Sequence, residues 1–277
     1  MLSSFIVVFR EILEVSIVLG VVIAATRGLP GRTLWIWAGI GGGVIGSLLV
    51  ALFADVISDA AAGMGQELFN AGVLILASVM IGWTVLWMRQ HAREMVAHIK
   101  KVGADVMAGQ LPAYSIAVVI ALAVLREGSE IVLFTYSMVA SGQSLMEVAL
   151  GGIGGGLAGS ALGYLLYVGI IRIPTRYVFQ VTSWLLIFLA AGMASLAAKY
   201  LVASGQLEIL TKTVWDTSWL LPEGSILGKI LQAMIGYSDQ PMEIQLLFFG
   251  VTLAILAGLM RMLDKQHMAA AALRKTA

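Results

Sequence analysis

Two short charged motifs lie inside long apolar stretches of this chain and limit what it can fold into. Both have the pattern Arg-Glu-x-x-Glu, as Arg10-Glu11-Ile12-Leu13-Glu14 and as Arg126-Glu127-Gly128-Ser129-Glu130. One charged side chain at the centre of a membrane helix costs roughly 2.5 to 3.5 kcal/mol on insertion scales. Because this costly motif occurs twice with the same spacing, we expect a polar site that uses the carboxylates.

The composition is that of an integral membrane protein. Of 277 residues, 60% are hydrophobic and 12% are charged, whereas globular domains carry about 25% charged residues. The formal net charge is +1 and there is no basic tract, so nothing indicates nucleic-acid binding. Cysteine is absent, which excludes disulfides, thiolate metal sites and cysteine nucleophiles.

Seven apolar stretches are long enough to cross about 30 Å of hydrocarbon as helices. They are residues 4–26, 34–56, 69–88, 113–139, 148–171, 178–201 and 243–263. The first lacks a preceding basic region, so we expect a retained span and not a cleaved signal peptide. The predicted fold class is therefore an all-α integral membrane protein with seven transmembrane helices in a single membrane domain.

Cationic residues predict the orientation of these spans. Loops with an excess of Lys and Arg face the cytoplasm, and such residues fall in the first, third and fifth loops and after the last span. We therefore expect a multi-pass protein of the cell membrane, in bacteria the inner membrane, with its N-terminus outside and its C-terminus in the cytoplasm. The residues concerned are Arg27, Arg32, Arg89, Arg93, Lys100, Lys101, Arg172, Arg176, Arg261, Lys265, Arg274 and Lys275.

The two halves of the chain resemble each other. A glycine-rich pattern at residues 39–47 returns at residues 152–160, and each copy follows one of the charged motifs. Three spans per unit make the units enter from opposite sides, as in the inverted repeats of transporters, whose sites lie near the midplane. We expect repeat 1 at about 1–88, a cytoplasmic loop at 89–112, repeat 2 at about 113–201 and an outer loop at 202–242. The glycines predict close packing of spans 2 and 5 through small residues.

The spacing within each motif predicts a shared acidic site. Positions i and i+3 share a helix face, so the glutamates of each motif project together, and inverted symmetry would bring all four together.

Four glutamates and two arginines leave two surplus negative charges, which attract a proton or a cation. Oxygen ligands suit hard cations, and the histidines lie in predicted cytoplasmic segments. The residues alone indicate a permease for a hard metal cation; the alternative is structural ion pairs that lock helices together. The residues concerned are Glu11, Glu14, Glu127 and Glu130, with Arg10 and Arg126 as auxiliary ion pairs.

At these motifs the sequence resembles the high-affinity iron permease family, which includes ferroxidase-coupled fungal permeases and bacterial Efe-type permeases. That family carries Arg-Glu-x-x-Glu in the first and fourth of seven spans. The resemblance implies that iron is the transported substrate, that the four glutamates handle it, and that the protein is not an enzyme and has no permanent cofactor. It also implies a periplasmic or extracellular ferroxidase or iron-donor protein as a partner, beside the lipid bilayer. Further matches are residues 66–69, Trp83, Trp87, Met88, Trp215, Asp216, Ser218, Gly228, Gly236 and Tyr237.

Two residues depart from the family pattern. Bacterial relatives usually have a glutamate where this chain has Asn70, so we expect weaker cation affinity at the outer mouth. Ile12 stands where the family often has glycine, and we expect it to reduce close helix approach.

Other acidic residues have two interpretations each. Glu67 opens span 3 as an outer metal ligand or as an anion favoured by the helix dipole. Asp216 and Asp239, with Glu223, capture iron at the outer loop or are merely solvated loop acids.

Two other functions compete with iron transport. One is a permease for another hard divalent cation, manganese or lead, or a cation/proton exchanger of the same architecture. The other is an intramembrane hydrolase or signalling protein, which is disfavoured because Ser129 lacks a recognisable base partner. The redox state of the iron, the energy source and the oligomeric state stay open at this level.

Overall fold

The computed structural model describes residues 1–61, 65–169, 175–225, 227–228, 231–232 and 237–276. The described part of the chain contains seven long helices, which confirms the all-α class. Residues 170–171, the predicted end of span 5, and Gly236 lie outside the described residues. The helices are α1 (Leu2–Ala25), α2 (Arg32–Ala61), α3 (Gln66–Met107), α4 (Tyr114–Ala140), α5 (Leu145–Val168), α6 (Thr175–Ala203) and α7 (Glu243–Thr276).

Five of these helices contain a segment long and apolar enough to cross a membrane. The segments are Arg32–Phe53, Gln66–His91, Leu145–Val168, Tyr177–Ala203 and Glu243–Leu263. The other two helices, α1 and α4, have similar lengths, but each contains one arginine and two glutamates of a charged motif. The structure is therefore that of an integral membrane protein, while seven crossings remain a prediction.

Helix α3 differs from the sequence-based expectation. Span 3 was expected to end at Met88 and to be followed by a loop up to residue 112, but the helix continues to Met107. It ends where Gly109 adopts a φ of +72°, a left-handed conformation that glycine reaches without strain. The amide of Gln110 closes this end on the carbonyl of Asp105 at 2.9 Å. We call the part of α3 from residue 92 to 107 the α3 extension.

The first of two compact units contains Met1–Gly63 and Ala92–Gln180. Within it α1 packs against α5, α2 packs against α4, and α1 and α4 pack against each other. These two pairs involve the four helices that carry the charged motifs and the glycine-rich patterns.

Glycines permit the close approach in both pairs. A β-carbon on Gly43 would lie 2.8 Å from the carbonyl oxygen of Ala121, and one on Gly155 would lie 2.9 Å from the amide nitrogen of Phe9. Neither distance is possible for a real side chain, so only glycine fits at these positions. The predicted close packing of spans 2 and 5 is confirmed, with α4 as the partner of α2 and α1 as the partner of α5.

The second unit contains Met64–His91 and Val181–Ala277. In it the Ser78 hydroxyl of α3 donates to the carbonyl of Ala190 in α6 at 2.8 Å. Leu256 of α7 lies against Gly82 of α3. The segment between α6 and α7, residues 204–242, is called the α6–α7 loop. Its backbone is held at the start of α7, where the amide of Glu243 donates to the carbonyl of Lys212 at 3.0 Å.

Candidate metal centre

Helix α1 buries the three charged residues of the first motif. Arg10, Glu11 and Glu14 are 2%, 0% and 3% exposed. Because positions i and i+4 are neighbours on a helix face, Arg10 reaches Glu14, and its Nε lies 3.0 Å from Oε1. An Nη1 atom of the same arginine lies 3.8 Å from Oε1 of Glu11. One guanidinium therefore serves two carboxylates.

Helix α4 repeats this arrangement with the second motif. Nε of Arg126 lies 3.6 Å from Oε1 of Glu127 and 3.4 Å from Oε1 of Glu130. The two motifs differ in exposure, because the Arg126 side chain is 31% exposed and the Arg10 side chain is 2% exposed. The ion pairs of the two helices are alike, but only those of Arg126 on α4 reach an accessible surface.

The two motifs meet where α1 and α4 pack together. Glu11, Glu14 and Glu127 each place a carboxylate oxygen so that all three oxygens lie within 4.8 Å of one another. The carboxylates of Glu11 and Glu127 adjoin across the helix interface. Glu130 interacts electrostatically with Glu14. The structure thus brings together glutamates that are more than a hundred residues apart in the chain.

The two arginines do not satisfy this cluster. Both carboxylate oxygens of Glu11 and of Glu14, and one oxygen each of Glu127 and Glu130, are buried without a hydrogen-bond partner among the described residues. A buried acceptor without a partner is costly, and a buried charge needs compensation. A bound proton or a metal cation would supply it, and carboxylate oxygens are ligands that hard cations accept. The ion pairs with the two arginines leave these oxygens without hydrogen bonds.

Glu67 and Asn70 belong to the other compact unit. Glu67 lies in the first turn of α3 and is exposed, where a carboxylate is stabilised by the helix dipole. Asn70 is 9% exposed one turn further on. Their roles as outer ligands stay predictions.

Asp216 and Asp239 have identified structural partners in the α6–α7 loop. Oδ1 of Asp216 accepts hydrogen bonds from the hydroxyl and the amide of Ser218 at 2.6 and 2.9 Å, and Oδ2 accepts from Nε2 of Gln240 at 2.9 Å. These bonds, the hydroxyl bond above all, lower the pKa of Asp216. Oδ2 of Asp239 accepts from the amide of Glu223 at 2.9 Å. Both carboxylates shape the loop, and their use in iron capture stays a prediction.

The effect expected of Ile12, a less close helix approach than glycine would allow, stays a prediction. A β-carbon on Gly159 of α5 would lie 3.3 Å from the β-carbon of Ile12 and 2.6 Å from the carbonyl oxygen of Phe9. Helix α5 therefore approaches α1 closely beside this isoleucine, because the glycine of the partner helix provides the space.

One residue beside the second motif was missed. Ser47 of α2 occupies the space that a side chain on Gly128 would need, and its hydroxyl donates to the carbonyl of Gly43 at 3.0 Å. The repeated Gly-Ser end of the glycine-rich pattern was the signal in the sequence for this contact.

Fold and site together define the class of this molecule as an integral membrane protein with a buried acidic centre. The sequence profile described as the Iron permease FTR1 family matches residues 1–274. The chain belongs to this family, whose members are permeases, that is, transporters and not enzymes, with iron as the transported substrate.

Individual relatives agree with this assignment. The chain is 27% identical over 244 residues to the "Ferrous iron permease EfeU" of Escherichia coli O6:H1, covering 87% of this chain and 88% of the relative. It is 25% identical over 247 residues to the protein of the same name from Yersinia pestis, covering 87% and 86%. No solved structure gives a significant match.

Proposed function

We propose that this protein carries iron across the cell membrane through the carboxylate cluster of Glu11, Glu14, Glu127 and Glu130. The observation that carries the proposal is the approach of three buried carboxylate oxygens to within 4.8 Å of one another. Glutamates from two helices then act as ligands, and Arg10 and Arg126 orient them from one side.

The architecture proposed for transport is an inverted repeat of two three-helix units followed by α7. Its support is the symmetry of the contacts, since α1 packs on α5 in the way that α4 packs on α2. Each pair also places a glycine-rich helix against a helix with an Arg-Glu-x-x-Glu motif. A site between two inverted units is expected near the middle of the membrane.

The charge balance favours ferrous iron as the substrate. Four glutamates and two arginines carry a formal charge of −2, which a divalent cation neutralises. The relatives from Escherichia coli O6:H1 and Yersinia pestis bear the name ferrous iron permease. A soft-metal substrate is disfavoured, because the cluster contains oxygen ligands alone among the described residues.

Uptake of radioactive iron into proteoliposomes tests this proposal. Glu14→Gln and Glu130→Gln each remove one charge with little change of shape, and we expect each to abolish uptake while the protein still reaches the membrane. Glu208→Gln is the matched control, because Glu208 is an exposed acid of the α6–α7 loop. Normal uptake by the Glu14 or the Glu130 variant would contradict the proposal.

A second candidate is a permease of the same architecture for manganese or lead, or a cation/proton exchanger. It is favoured by the same observation, since carboxylate oxygens alone do not distinguish one hard divalent cation from another. Competition between labelled iron and each other metal in the same proteoliposomes separates these substrates. Stronger uptake of manganese than of iron would replace the first proposal by the second.

The proposed topology places the N-terminus and the α6–α7 loop outside, and the C-terminus and the α3 extension in the cytoplasm. The support is the distribution of Lys and Arg between alternate loops. A ferroxidase or an iron-donor protein would then meet the α6–α7 loop, where the acidic side chains of Asp216, Glu223 and Asp239 lie. We propose that the protein has no resident cofactor and that iron is the ion it transports.

A further inference from the structure

The α3 extension is an amphipathic helix. Ile99, Gly103 and Val106 are buried, and Met95 and Val102 are partly buried, at a spacing of three or four residues. Charged or polar side chains at other positions of the extension are exposed: Glu94, His98, Lys100 and Lys101. Such a pattern gives a helix one apolar face, and here that face has a defined partner.

The partner is the end of the α1–α4 pair that carries Ala25 and Tyr114. Ile99 and Val106 join a buried cluster in which every member is aliphatic; the others are Val18, Val22, Ile116, Ile120 and Val124. The helices touch closely, since a β-carbon on Gly103 would lie 2.6 Å from the β-carbon of Ala25.

The members of this aliphatic cluster on α1 and α4 lie on the same helix faces as the glutamates. Val18 and Val22 follow Glu14 at positions i+4 and i+8, which places them about 6 and 12 Å further along α1 at 1.5 Å per residue. On α4 the members Val124 and Ile120 precede Glu127 at i−3 and i−7 in the same way. An ion that leaves the carboxylates in this direction meets several layers of aliphatic side chains.

The opposite end of the α1–α4 pair has a different lining. Val7 and Phe134 are buried there, but so are the hydroxyl-bearing Ser3, Ser4 and Ser137. A side-chain oxygen of Gln143 is also buried there without a hydrogen-bond partner among the described residues. At the end covered by the extension, Thr26 is also buried, but its hydroxyl donates to the carbonyl of Val22 at 2.8 Å. Buried side-chain polar groups are thus more numerous at the opposite end of the pair among the described residues.

The extension also breaks the likeness of the two halves. Helix α3 has 42 residues, whereas α6, its counterpart in the second half, has 29. The additional residues cover one end of the site, which a symmetrical pair of units would not do.

We infer that the α3 extension is the inner gate of the permease: its apolar face closes the cytoplasmic end of the iron path and must separate from α1 and α4 for iron to leave. The inference rests on the proposed function for the identity of the ion. Its physical reason is that a divalent cation cannot cross a dry aliphatic layer without losing its hydration. The exposed lysines and glutamate keep the opposite face of the extension in water.

Thiol labelling tests the closure without any measurement of iron. The natural chain has no cysteine, so one introduced cysteine is the single thiol that the reagent can label. Val22→Cys places a single thiol inside the cluster, where Val22 is 4% exposed. In nanodiscs, a membrane-impermeant thiosulfonate reagent should label this thiol slowly. Adding Gly103→Ala inserts a methyl group against Ala25, and we expect labelling about tenfold faster, since overpacking favours the separated state.

Two matched variants control this experiment. Gly72→Ala makes the same change in the same helix where nothing lies within 4 Å, and it should leave the rate unchanged. The size swap Ala25→Gly with Gly103→Ala removes the opposing β-carbon, and it should restore slow labelling. Fast labelling of Val22→Cys without a further change, or equal rates for Gly103→Ala and Gly72→Ala, would overturn the inference.

A disulfide tests whether the gate must move. Cysteines at Ala25 and Gly103 can form one after the helices separate by about 1 Å, since bonded cysteines have β-carbons about 3.8 Å apart. We expect oxidation to stop iron uptake, a reducing agent to restore it, and binding of ferrous iron to the detergent-solubilised protein to persist. Undiminished uptake after complete cross-linking, relative to each single cysteine variant, would overturn the gate. If the natural chain carried no iron in the same proteoliposomes, the proposed function would fail, and the labelling rates would still decide the closure.

Discussion

Arg10 and Glu14 form an ion pair at 3.0 Å in which both side chains are 2% exposed. The corresponding pair on α4, Arg126 with Glu130, is 3.4 Å long and its arginine is 31% exposed. Two motifs with the same sequence pattern therefore have different surroundings. The first is enclosed by packed helices, and the second is reached from the surface.

This difference predicts unequal effects of removing the two arginines. Arg10→Ala leaves buried carboxylates without their countercharge, and breaking a buried pair in this way costs about 3 to 5 kcal/mol. Arg126→Ala should cost less, because its guanidinium is already partly accessible. The thermal unfolding midpoint in detergent measures both variants under one condition. Equal losses, or a larger loss for Arg126→Ala, would contradict the difference in enclosure.

The packing of α5 on α1 predicts a sharp contrast between neighbouring glycines. Gly155→Ala places a methyl group against the backbone of Phe5 and Phe9, and overpacking of this kind costs about 1 to 3 kcal/mol. Gly152→Ala should be neutral or stabilising, because its β-carbon would have an ordinary contact of 3.7 Å with Val8 and alanine favours the helix. Unfolding midpoints of the two variants check this, and equal midpoints would refute the close approach.

The contact between Ser47 and Gly128 predicts a rescue. Gly128→Ala directs a methyl group into the Ser47 side chain, so we expect a loss of about 1 to 3 kcal/mol and slower iron uptake. Ser47→Gly removes the obstacle, and the double variant should recover most of the stability and uptake. If the double variant were as impaired as Gly128→Ala alone, the contact with the Ser47 side chain would not be the cause of the loss.

Asp216 predicts an acid-sensitive α6–α7 loop. Its pKa is lowered in the folded loop by the hydrogen bonds from Ser218, so the ionised form contributes stability above its unfolded pKa of about 3.9. That contribution is lost as the pH falls from about 4 through the lower folded value. Limited proteolysis of the loop should therefore accelerate at acid pH in the natural chain. Asp216→Ala should be cleaved faster already at neutral pH and show a weaker acid dependence.

The helical part of the site was accessible from the sequence. A spacing of three residues predicts that Glu11 and Glu14 share a face, as do Glu127 and Glu130, because 3.6 residues form one turn. The structure confirms that glutamates of both motifs lie together. The repeated glycines likewise predicted close packing, since only small residues allow helix backbones to approach.

The α3 extension shows where the prediction failed. Mean hydropathy distinguishes apolar spans from polar segments. By that measure residues 89–112, which are rich in charged side chains, are a loop. The buried positions Ile99, Gly103 and Val106 follow a helical period within this charged segment. Attention to periodicity in place of mean hydropathy would have identified an amphipathic helix.

The sequence by itself determined the class of the protein, the helices that hold the glutamates and the face of each helix on which they lie. These are local properties, set by side-chain hydropathy and by the turn of the helix. Only the tertiary structure decided that Glu11 and Glu127 meet, that α5 packs on α1 and α2 on α4, and that the α3 extension covers one end of the site. Such contacts join residues far apart in the chain, and they depend on how glycine surfaces and aliphatic faces fit together in space.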